Sequence, residues 1–201
     1  MSFGCVYFLM REQEEKILNS ATKGKNFAII GALCLLAYLA GSVYLITKAT
    51  NSTVYYEGLG NLNVSITVET IIGWITIFLI PATLFTRNLK AVLCAASIYC
   101  LYRLYNMIAS FSASGFLLFL AAAAFVVAII LTMKKSGLIS FFWFLPAAIL
   151  LVRMVIMYVN TFSNGVTANL AGSFWFTVIF DVAQVAGYLL AGLWLKAAAK
   201  E

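Results

Sequence analysis

Three ionisable side chains stand inside stretches that are otherwise apolar: Arg103 in "YCLYRLYNMI", Arg153 in "LLVRMVIMYVN" and Asp181 in "FTVIFDVAQV". A charge in such surroundings is costly unless a partner neutralises it. Pairing Asp181 with either arginine leaves one guanidinium over, and the planar fork of an arginine matches a carboxylate or a phosphate. Polar neighbours recur at helical spacing around these charges. Thr177, Asp181, Gln184 and Tyr188 fall at i, i+4, i+7 and i+11, and Tyr99, Arg103, Asn106 and Ser110 repeat that pattern. Asn160 follows Arg153 one level outward, and Glu69, Trp74 and Thr76 contribute from an earlier segment.

The chemistry expected of this set is binding. Arg103 and Arg153 hold the anionic group of a small anionic or zwitterionic solute. Asp181 orients the arginines or takes an amine, and Asn106, Gln184 and Tyr188 supply hydrogen bonds. A structural reading competes: the same charges fix helix register and nothing more. A proton relay through Asp181 is a third. Taken singly, Tyr99, Tyr102, Tyr105 and Tyr188 read more readily as packing or interface anchors.

Other chemistries lack their residues. The chain has no histidine, the commonest metal ligand and general base. The four cysteines, Cys5, Cys34, Cys94 and Cys100, form no CxxC pair and read as small packing residues. GxSxG, HExxH, Walker and dinucleotide-binding patterns are missing, as are a pair of membrane aspartates and a TVGYG-like filter. No enzymatic activity, cofactor or metal is therefore expected.

The elements that position these residues follow from composition. At 64% hydrophobic, 10% charged and a mean hydropathy of +1.00, the 201 residues are too apolar for a soluble domain. The net charge of +6 does not indicate nucleic acid, because the basic residues sit at the ends of apolar runs and form no stripe. A bilayer crossing takes about 20 apolar residues. Six such runs occur, at roughly 27–48, 68–86, 90–111, 115–133, 138–160 and 173–196. Measured inward at 1.5 Å per residue, Arg103, Arg153 and Asp181 lie about 13, 10 and 12 Å below the outer helix ends. Their agreement in depth predicts one cluster on the third, fifth and sixth spans, roofed by the first outer loop.

The short breaks "TRNLK", "SASG" and "KKSG" predict hairpins. Lysine and arginine set the orientation. With the N-terminus inside, Arg11, Lys16, Lys23, Lys25, Arg87, Lys90, Lys134, Lys135, Lys196 and Lys200 are cytoplasmic, and Lys48 alone stands at an outer end. The expected fold is all-α: six transmembrane helices as three consecutive antiparallel hairpins, both termini cytoplasmic. Residues 27–196 form the membrane domain between an interfacial segment, 1–26, and a tail, 197–201. The opening "MSFGCVYFLM" lacks the basic start and cleavage site of a signal peptide.

Loops 49–67 and 161–172 then face outward. The first carries turn formers, alternating β-branched residues suited to a short hairpin or lid, and sequons at Asn51 and Asn63. The fourth span has no polar side chain between its ends and an alanine block suited to close packing. Pro81 and Pro146 predict kinks in the second and fifth spans.

In gross plan, with its long first outer loop and small residues Ala32, Ala37 and Gly41 in "IIGALCLLAYLAG", the chain is similar to the substrate-capture subunits of energy-coupling-factor vitamin transporters. The resemblance is architectural and includes no binding motif. It implies a solute held in the outer half and a partner docked on the first helix. The leading expectation is thus solute binding or transport in a cell membrane, the bacterial cytoplasmic membrane, by a homo-oligomer or a subunit with a membrane partner. The alternative is a non-transporting regulatory, immunity or assembly subunit, whose basic cytoplasmic rim meets a protein or anionic lipid.

Overall fold

The structure, a computed structural model, describes residues 24–45, 47, 54–56, 60–62, 68–163 and 171–200. Residues 1–23 of the interfacial segment, most of the first outer loop with both sequons, and much of the second outer loop lie outside the described residues. Six helices are long and apolar enough to cross a bilayer, which is compatible with a multi-pass integral membrane protein. They are α1 (Gly24–Leu45), α2 (Val68–Thr86), α3 (Leu89–Ala109), α4 (Ala113–Met133), a fifth split into α5 (Ile139–Phe142) and α6 (Leu145–Ser163), and α7 (Ala171–Ala198). The first helix begins before the expected residue 27. Two short strands, β1 (Val54–Tyr56) and β2 (Gly60–Leu62), pair antiparallel between α1 and α2, with Tyr55 opposite Asn61. The spans are helical as expected, and the turn-rich loop adds this ribbon.

Local chemistry explains the turns. Asn88 caps α3, its Oδ1 accepting from the N–H groups of Lys90 and Ala91 at 3.0 and 3.4 Å. Ser112 caps α4 by accepting from the N–H of Gly115 at 3.0 Å. After α4 the N–H of Ser136 reaches the Leu131 carbonyl at 2.9 Å and that of Lys135 reaches Thr132, also at 2.9 Å. This is the paired closure that requires a left-handed residue, and Lys135 supplies it at φ 49°. Arg87 adopts φ 57° after α2.

The two prolines behave differently. Helix α2 runs through Pro81 without a break. At Pro146 the fifth span does break, between Phe142 and Leu145, because the ring has no N–H for the carbonyl one turn earlier. The Trp143 carbonyl fills the space where a Cβ on Gly192 of α7 would stand.

Helix α4 is the hub, packing on α3, α6 and α7. Ala121, Ala122, Phe125, Ala128 and Ile129 are buried, and the Phe125 ring meets Tyr188 of α7 edge-on at 5.1 Å. A seam of small residues joins α1 to α7. Gly24 lies on Ala197, Gly31 on Gly187 and Ala191, and Gly41 on the Phe180 ring. Partners fall along α7 as numbers rise along α1, so the two helices run antiparallel. The seam alters what the resemblance implied, since Ala32 is fully buried and Gly41 is covered by Phe180 inside this chain. Neither is free to dock a partner; of the three small residues, Ala37 alone stays exposed. On α2, Val68, Ile71, Ile72, Ile75 and Phe78 face outward, a surface suited to acyl chains and too large for a soluble monomer.

Candidate functional site

Polar side chains on α3, α6 and α7 fall into two groups. In the first, Arg153 of α6 places Nη1 3.9 Å from Asp181 Oδ1 on α7. Its Nε donates to Ser114 Oγ on α4 at 2.9 Å. Tyr158 Oη donates to the other Asp181 oxygen at 2.8 Å. Ser114 Oγ in turn contacts Met157 Sδ at 3.7 Å. Helices α4, α6 and α7 are thereby tied through Arg153. A charge-assisted hydrogen bond spans about 2.7–2.9 Å, so the Arg153–Asp181 contact is Coulombic and Tyr158 provides the hydrogen bond. Ser114 belongs to the first turn of α4, so the guanidinium reaches toward that helix end, as long cationic side chains do when they snorkel.

The second group surrounds Arg103 of α3. Its Nε donates to Tyr99 Oη at 2.8 Å, and its guanidinium carbon lies 4.9 Å from the centre of the Tyr99 ring and 5.7 Å from that of Tyr102. Tyr102 is itself anchored, its Oη donating to the Glu69 carbonyl of α2 at 3.1 Å. Gly73 makes room for it, since a Cβ there would stand 2.5 Å from that hydroxyl.

The expected triad is thus a pair plus a separate arginine. Arg103 finds its partners on its own helix, one turn back and one residue back. Two π faces and a hydroxyl satisfy part of the guanidinium there without the chain reaching across to Asp181. Among the described residues no carboxylate forms an ion pair with Arg103.

The remaining expected residues are distributed unevenly. Gln184 and Tyr188 are buried, 2% and 3% exposed, and Asn106 is half-buried. None of the three uses its side-chain polar atoms in a hydrogen bond to another described residue. Tyr188 lies within electrostatic range of Tyr99, Arg103 and Tyr38. Four others stand apart. Thr76 donates back to the Gly73 carbonyl of its own helix at 2.8 Å, and Ser110 does the same to Asn106 at 3.3 Å. Glu69 and Asn160 are exposed.

Three contributors escaped the sequence reading. Tyr38 of α1 is within electrostatic range of Tyr99, Arg103, Arg153 and Asp181, and so borders both groups. Ser114 falls in the turn sequence "SASG". Tyr158 stands at i+5 from Arg153, outside the i+4 and i+7 pattern used to trace polar faces. Among the described residues no three cysteines and carboxylates cluster. The chemistry on offer is charge pairing between Arg153 and Asp181 and hydrogen bonding around the Arg103 guanidinium, with the buried Tyr188 phenol in its field. Against protein-family models, curated proteins and solved structures, the chain finds no match.

Proposed function

We propose that the protein binds a small anionic or zwitterionic solute at Arg103 and moves it across the membrane. The carrying observation is the asymmetry between the two polar groups. Arg153, Asp181, Ser114 and Tyr158 satisfy one another, whereas Arg103 has tyrosines but no carboxylate against it among the described residues. A guanidinium so held favours a carboxylate or phosphate brought by a ligand. Tyr38, Tyr188, Gln184 and Asn106 supply donors and acceptors around it, while Arg153 and Asp181 hold the frame. The reading includes no covalent chemistry. It places both termini in the cytoplasm of a bacterial cell, the site in the outer half, and the protein as a homo-oligomer or one subunit of a larger assembly. The basis for that orientation is the lysine and arginine bias.

The test is the thermal unfolding midpoint of the full chain in neutral detergent with glutamate, succinate, glycine betaine or inorganic phosphate. At least one should raise the midpoint of wild type, Arg103→Lys should weaken that response about tenfold, and Arg103→Ala should abolish it. A response that survives Arg103→Ala, or none from any probe, overturns the proposal. A second reading, a non-transporting regulatory or assembly subunit, draws support from the self-contained Arg153–Asp181 network. It expects Asp181→Asn to lower stability while no solute shifts wild type.

A further inference from the structure

A second concentration of charge lies about 24 Å along α7 from Asp181, at 1.5 Å per residue. There the start of α1, the α2–α3 turn and the end of α7 enclose a cleft of about 280 Å³, lined by Lys25, Arg87, Leu89 and Trp194 among others. Lys25 and Arg87 are exposed, and among the described residues no carboxylate lines the cleft. Glu69 and Asp181 are the carboxylates among the described residues, and both belong to the distant polar groups. The neighbouring Lys196 is engaged elsewhere, its Nζ 5.0 Å from the centre of the Trp143 ring. Two cations thus face an open space with an apolar wall of Leu89 and buried Trp194.

We propose that this cleft binds a phosphate group, that of an anionic membrane lipid. Arg87 offers paired N–H donors to two phosphate oxygens and Lys25 a compact charge. The indole and leucine wall suits the glycerol and upper acyl chain, at the depth where tryptophan collects in membrane proteins. Basic recesses between helix ends are suited to such headgroups. The inference rests on the helices crossing a bilayer and is independent of the solute site, since Arg103 takes no part in it.

The experiment uses the full chain in neutral detergent, with dioleoyl phosphatidylglycerol, dioleoyl phosphatidylcholine and inorganic phosphate as probes. Lipid retention is read by native mass spectrometry and stability by the thermal midpoint. Phosphatidylglycerol should be retained and should raise the midpoint, and phosphatidylcholine should do neither. Arg87→Gln combined with Lys25→Gln should raise the half-maximal phosphatidylglycerol concentration about tenfold or more. Arg87→Gly serves as the folding control, because glycine suits φ 57°; it should fold at least as well as wild type and still weaken the response. Inorganic phosphate that matches the lipid would support the same site with a soluble ligand. Three outcomes overturn the proposal: equal responses to the two lipids, a wild-type response in the double variant, or an equal loss on replacing Lys134 and Lys135, which do not line the cleft.

Discussion

Replacing Asp181 with asparagine keeps the size of the side chain and an oxygen for Tyr158 Oη, but removes the charge facing Arg153. At 3.9 Å and an effective dielectric constant of about 20, that attraction is worth about 4 kcal/mol. The two side chains are only 12% and 10% exposed, so solvent screens it weakly. Some of the loss is recovered as Arg153 leans further toward the helix end, leaving an expected destabilisation of about 3 kcal/mol, roughly a hundredfold in the unfolding equilibrium. Arg153→Met should cost a similar amount, since it strands the carboxylate on Tyr158 alone and removes the donor to Ser114. The double variant carries neither charge and should unfold within about 1 kcal/mol of wild type. The assay is equilibrium unfolding in mixed micelles titrated with a denaturing detergent and followed by tryptophan fluorescence. If the two single losses simply add in the double variant, the pair is not coupled and the account of this network fails.

Other expectations follow from single contacts. Gly31→Ala should destabilise by about 1–3 kcal/mol, because its Cβ would meet Gly187 O and Ala191 N at 3.1 Å; Gly187→Ala should cost at least as much, since its Cβ would stand 2.7 Å from Cγ of the buried Leu35 and 3.2 Å from Gly31 O. The same unfolding assay ranks them. Gly73→Ala should push Tyr102 off its Glu69 contact and reduce any solute response at Arg103, while Gly137→Ala, with open space around its Cβ, should leave that response unchanged in the same thermal assay. In a cysteine-free background, cysteines at Ala113 and Asn164 should react with an impermeant thiol reagent from outside and one at Ser136 should not; the reverse pattern overturns the proposed orientation.

The spans were legible because hydrocarbon imposes a length and an apolar composition that residues such as "GFLLFLAAAAFVVAIILT" announce directly. The buried stripe Asp181, Gln184, Tyr188 was legible for a related reason, since helical periodicity maps spacing onto a face. The partners of a long side chain were harder to read. Depth put Arg103 and Arg153 level with Asp181, but an arginine head swings several ångströms from its Cα, and local tyrosines captured one of them. Tyr38 was invisible because nothing in a sequence says that the first and last helices touch. Pro146 broke its span and Pro81 did not; at the broken span Gly192 leaves room for the Trp143 carbonyl.

The glycine seam between α1 and α7 has a consequence for biogenesis. A nascent chain inserts α1 early, but the surface that covers Gly31 and Gly41 leaves the ribosome only with α7. Until then the glycine face of α1 stands open to acyl chains. Termination before residue 180 would strand that face, making a truncated product a natural target for membrane quality-control proteases and the arrival of α7 the step that locks assembly.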